Sequence, residues 1–145
     1  MEQKKIRAMG SIRFSFIIYI IILFASCQED RSLTIKDLDE TMIDLKAYQE
    51  NLGIEIKAGR MKDAEWLAYG MDSVFSEIKR KFTEHRKLEQ PFSYYYKIKM
   101  KKPIGLIKDA IRKEDTVLGM KGYRLLIKNC NSCHDDNNID KTVKF

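Results

Sequence analysis

The sequence predicts an all-α protein, an antiparallel up-down-up-down four-helix bundle. Three observations point there. The 145 residues include only 7 Gly and 2 Pro, too little turn chemistry for a many-stranded sheet. Apolar residues recur at three- and four-residue spacing over four long stretches. The breaks between them are short, which makes neighbours in sequence antiparallel neighbours in space. The length suits one domain and is too small for two of ordinary size.

The first stretch, residues 34–58, carries Leu38, Met42, Leu45 and Leu52 on its inner face with Tyr48 beside them, and Gly59 ends it. The second, residues 61–84, has the cleanest stripe: Ala64, Leu67, Ala68, Met71, Val74, Phe75, Ile78 and Phe82. Trp66 faces away from that stripe. The third, residues 93–113, offers Tyr95, Ile98, Ile104, Ile107 and Ile111, and Pro103 is expected to kink or restart it. Asp115 reads as the N-cap of the fourth, whose stripe runs through Met120, Tyr123, Ile127 and Cys130 to His134. Asn137 and Asn138 favour termination soon after. This topology gathers Leu38, Met42, Phe82, His85, Phe92, Tyr94 and Tyr95 at the end of the bundle that holds Cys130 and Cys133.

The N-terminus reads as an export signal over residues 1–26. A basic stretch up to Arg13 precedes an apolar run, residues 14–24, shorter than the ~20 residues a membrane-spanning helix needs. Ala25, Ser26 and Cys27 follow, and this junction resembles the lipobox of bacterial lipoproteins. That resemblance implies a lipid on Cys27, a tether over residues 27–33 and a domain from residue 34 to 145. An uncleaved N-terminal anchor is the alternative. Both place the domain on the outer, periplasmic side of a bacterial membrane and keep it tethered there.

With Cys27 lipidated, Cys130 and Cys133 are the two thiols of the mature domain. They stand in Cys130-Asn131-Ser132-Cys133-His134, a C-x-x-C-H run, the attachment signature of a c-type haem. On a helix the two cysteines and the histidine fall at i, i+3 and i+4, so one face grips the porphyrin edge and binds its iron. A disulfide here would close a tiny loop and gain little. A thioredoxin-like pair belongs at the start of a helix, whereas this pair ends one. A structural zinc site would need two further ligands, which His134 and His85 could supply. One covalent haem accounts for both thiols, the histidine and the export signal together.

A four-helix bundle with C-x-x-C-H closing its last helix resembles the class II cytochromes c, cytochrome c-prime and its low-spin relatives. The resemblance covers roughly residues 34–136. It implies haem on Cys130 and Cys133 and His134 as proximal iron ligand. Asn137 and Asn138 stand where the family often has an aromatic residue and an Arg. Counting back from the end of the first helix places Met42 at the family's distal position, where methionine gives a low-spin electron carrier and an apolar cover gives a five-coordinate binder of gases such as NO or CO. His85 is the rival sixth ligand. The resemblance implies no catalytic acid or base, a redox partner protein, and a homodimer through helix faces as an option.

The formal charge of +6 is a weak guide to partners. Lys4, Lys5, Arg7 and Arg13 against Glu2 place about half of it in the leader. What remains includes no basic run interleaved with stacking aromatics, which argues against nucleic acid as a partner. Lys97, Lys99, Lys101 and Lys102 read as a solvated face, or, sharper, as partners of the haem propionates or a guide for an acidic redox partner.

Overall fold

Apolar spacing of three and four becomes helix at each stretch. The computed structural model describes residues 35–144, which form helices joined by loops, with no strand among them. Helix α1 spans Ile35–Lys57 and α2 spans Met61–Lys81. A third rod is built of α3 (Phe92–Tyr95), a π-helical turn (Tyr96–Met100) and α4 (Lys101–Lys113). Helix α5 spans Thr116–Asp136. The leader and Cys27 lie outside the described residues.

The helix ends follow local chemistry. Gly59 adopts φ +74° after α1, a conformation that costs glycine nothing, and its N–H donates to the Ile56 carbonyl. Asp115 caps α5 by accepting the Leu118 N–H at 2.9 Å. After α5, Asn137 is the C-cap and Asn138 takes a positive φ of 53°.

Consecutive helices pack most extensively, α1 on α2 and α4 on α5, and α1 with α5 and α2 with α4 complete the helical bundle. Phe75, Phe82, Phe92, Leu52, Ile56, Met71, Ile78 and Leu126 are among its fully buried side chains. Ile56 lies on Gly119, and Gly53 lies against the ring of Tyr123. One turn back along α1 is therefore one turn forward along α5.

The third rod departs from simple periodicity, and Pro103 supplies the reason. Without an N–H, Pro103 cannot donate to the carbonyl four residues back, that of Lys99. The Asn129 side-chain amide on α5 donates to that carbonyl instead. The π turn just before Pro103 inserts an extra residue. Met100 is thereby turned inward, 3% exposed, while Ile98, expected inside, is 52% exposed.

Candidate haem-attachment site

Cys130, Cys133 and His134 occupy the last two turns of α5, all in helical conformation. Cys133 is buried and Cys130 half-buried, both packed against the core. Burial pushes the Cys130 thiol up to about 12, with the neighbouring Cys133 adding to the rise. Burial also pushes Cys133 up to about 11, with Lys99 opposing and Asp136 reinforcing the rise. A reactive redox cysteine has the opposite signature, a lowered pKa in an electropositive setting. Thiols held neutral suit conversion to thioethers, which leave no charge in an apolar setting. In this respect the donor set fits a covalent haem.

The histidine fits as well. His134 Nδ1 lies 2.6 Å from the Lys141 carbonyl oxygen. A carbonyl can only accept, so Nδ1 carries the proton and Nε2 is left as the coordinating nitrogen. This is the usual arrangement of a metal-binding imidazole, whose second nitrogen is oriented by an outer partner.

Met42 is half-buried against the core on α1. Its relation to His134 follows from the contact of Gly53 with Tyr123. Met42 is eleven residues before Gly53, and His134 eleven residues after Tyr123. Eleven residues make about three helical turns, so each lies on the stripe that carries the Gly53–Tyr123 contact, about 16 Å along it. Met42 and His134 thus stand on facing stripes at the same level. A salt bridge of 3.4 Å between Asp39, one turn before Met42, and Lys141 ties the same two ends together.

Other side chains form a polar frame around the motif. Lys99, with its side chain 14% exposed, donates to Ser132 Oγ at 2.6 Å and pairs with Asp136 at 2.6 Å. The lysine run is therefore not uniformly solvated, although Lys97, Lys101 and Lys102 are exposed. Asn137, one turn beyond Cys133, is buried. Its Oδ1 accepts from the Tyr95 hydroxyl and from the Glu89 N–H, each at 2.9 Å, and its Nδ2 donates to the Cys133 carbonyl at 2.7 Å. Tyr95 and the loop before α3 are thus brought to the cysteines through Asn137. Asn131 is bonded to Val143 in the C-terminal segment. Sequence reading placed Lys99 only within the lysine run and missed Asn131, Ser132 and Asn137 as site residues. The signal open to it was position 137 itself, four residues after Cys133 and so on the same helix face.

His85 sits in the loop after α2, with its ring edge-on to Phe82 at 5.5 Å and Nδ1 accepting the Lys87 N–H at 3.2 Å. Among the described residues no group of three or more His, Cys, Asp and Glu converges to hold a metal ion. Nor does any described helix have the length and apolarity to cross a membrane. A cavity of about 170 Å³ lies at the other end of the bundle, between the start of α2 and the end of α4. Its lining includes Glu65, Tyr69, Lys108 and Arg112.

Comparison with protein-family models, with curated proteins and with solved structures gives no match for this chain.

Proposed function

We propose that this chain is a membrane-tethered monohaem c-type cytochrome that carries electrons. Cys130 and Cys133 would hold the haem covalently, and His134 and Met42 would bind its iron. The observation that carries the reading is the His134 ring. It shares one helical face with two neutral thiols, and its Nδ1 is engaged by the Lys141 carbonyl, which frees Nε2 for a metal. Haem would supply a one-electron couple, and an imidazole with a thioether on the iron would give it a higher potential than two histidines. An electron carrier needs no catalytic acid or base, and none is invoked here.

The reading includes the up-down-up-down topology, which the reversed register of α1 against α5 supports. It also includes a lipid on Cys27 and a periplasmic location, supported by the basic, apolar and small-residue order of residues 1–27. The exposed Lys97, Lys101 and Lys102 would face an acidic redox partner.

The deciding experiment is the visible spectrum of protein made in a host competent in haem attachment. A Soret band that survives denaturation, a low-spin pattern and the weak far-red band of thioether ligation are expected. A high-spin spectrum that shifts with carbon monoxide would instead make the chain a five-coordinate gas binder. Absence of a Soret band, with bound zinc in its place, would replace both haem readings by a structural domain. Cys27→Ala should leave the precursor unlipidated, and an unchanged membrane-bound product would contradict the tether.

A further inference from the structure

The C-terminal segment after α5 folds back onto the C-x-x-C-H turn. Ile139 N–H donates to the His134 carbonyl at 2.9 Å, which starts the reversal. Two residues on, the Lys141 carbonyl meets His134 Nδ1 at 2.6 Å, and the Lys141 ammonium reaches Asp39 on α1. Val143 is then held at both of its backbone polar groups by one side chain. Asn131 Nδ2 donates to the Val143 carbonyl at 3.0 Å, and the Val143 N–H donates to Asn131 Oδ1 at 2.7 Å. The Val143 side chain packs against the core.

A carboxamide bonded in this way fixes the peptide it grips in both position and orientation, because donor and acceptor must both align. The grip on Val143 sets where the Lys141 carbonyl lies, two residues upstream. That carbonyl in turn decides which nitrogen of His134 keeps its proton. Asn131, one of the two variable positions of the motif, thus reaches the imidazole three residues further on, by way of the returning chain.

We infer that residues 139–144 form a clasp, fastened by Asn131, that orients the His134 ring and holds it in the Nδ1–H tautomer with Nε2 directed to a metal. Asn131 is a positioning residue, acting on the imidazole without touching it. The inference rests on the proposed role of His134 as iron ligand, yet the clasp itself is measurable without haem. A ring nitrogen that donates to a carbonyl makes the imidazole a more basic ligand, which favours the oxidised iron. Loosening the clasp is therefore expected to raise the reduction potential.

The test compares the full chain with Asn131→Ala and with a chain ending at Asn138. In apoprotein, at a pH where the ring is neutral, nitrogen NMR should report Nδ1–H at His134 in the parent. Both variants should shift toward the Nε2–H tautomer that free histidine prefers. Hydrogen exchange at the Val143 amide should speed up at least tenfold in Asn131→Ala. Unchanged exchange at Val143 in Asn131→Ala, together with an unchanged tautomer in both variants, would overturn the clasp. In haem-loaded protein the variants should show a more positive potential, and an identical potential would overturn the clasp's action on the ligand. If no haem is taken up at all, the proposed function falls while the apoprotein measurements still decide the clasp.

Discussion

Gln49 donates from its side-chain amide to the hydroxyl of Tyr123, joining α1 to α5 across 74 positions of sequence, and each residue is only 3% exposed. A polar pair this deep is satisfied only in one sliding position of the two helices. It lies beside the Gly53–Tyr123 contact from which the level of Met42 with His134 is measured. Tyr123→Phe leaves a buried carboxamide without that partner and is expected to cost about 1–3 kcal/mol. Adding Gln49→Leu removes the other half and should restore most of the loss. Urea unfolding of the parent, the single and the double variant measures this, and additive losses would show that the pair is not coupled.

Met42→Ala probes the far end of the same register. The substitution removes the thioether proposed as the second iron ligand while leaving both cysteines in place. Covalent haem should persist and the spectrum should change from low spin to high spin. A spectrum that stays low spin would identify Met42 as core filling, and His85→Ala becomes the next variant to examine.

Much of this arrangement is legible in the sequence because helices bury one face at a fixed period. The inner residues of α2 from Ala64 to Phe82 are buried or half-buried as the stripe requires, and Asp115 and Gly59 end their helices as expected. The third rod is different. Counted forward from Tyr95, a period of 3.6 puts Ile98 inside, and the π turn inserts a residue that brings Met100 there instead. Proline announces some disturbance but not its form, since the compensating donor, Asn129, lies thirty positions from the Lys99 carbonyl it serves. Buried polar groups were hidden for the same reason. Gln49 and Asn137 look like surface residues until their partners Tyr123 and Tyr95 are in place. Of the site, the cysteines and His134 announce themselves by spacing, whereas Lys99 reads as one lysine in an exposed run.

The Lys99 carbonyl offers a direct check on how the missing Pro103 amide is compensated. Asn129→Ala removes its donor from α5 and leaves a half-buried carbonyl without that bond, a loss of about 1–3 kcal/mol. In a Pro103→Ala background the new amide at position 103 can serve the same carbonyl. Asn129→Ala should then cost clearly less. A double-mutant cycle by chemical denaturation supplies the comparison, and equal costs in the two backgrounds would show that Pro103 is not what leaves this carbonyl to Asn129.

Two glycines in neighbouring helices should respond in opposite directions to the same substitution. A Cβ added at Gly105 in α4 meets nothing within 4 Å, so Gly105→Ala should stabilise the fold by roughly 0.5–1 kcal/mol through helix propensity. A Cβ at Gly122 in α5 would lie 3.0 Å from the backbone nitrogen of Ile107, an atom that cannot swing away. Gly122→Ala should destabilise by about 1–3 kcal/mol as α4 and α5 are forced apart. Thermal melts of the two variants give the signs, and a rise for both would mean that α5 accommodates the methyl by shifting.

The two thiols give the apoprotein a distinctive alkaline behaviour. Both are raised above the ordinary cysteine value of 9.0 by burial, Cys130 to about 12 and Cys133 to about 11. Above pH 9 the unfolded chain therefore releases these protons while the folded chain keeps them. Fewer protons bound when unfolded means that stability falls as pH rises, by up to about 1.4 kcal/mol per pH unit for each thiol. The loss should begin near pH 9 and level off above the folded values. Two raised tyrosines, Tyr96 and Tyr123, act in the same direction, so the parent alone does not isolate the effect. Cys130→Ala/Cys133→Ala does, because it keeps both tyrosines. Denaturant unfolding from pH 8 to 11 should show a steeper decline in the parent apoprotein than in this variant. Haem-loaded protein, whose thiols have become thioethers, should follow the shallower curve of the variant, and equal slopes in all three would show that the buried thiols are not what sets the alkaline limit.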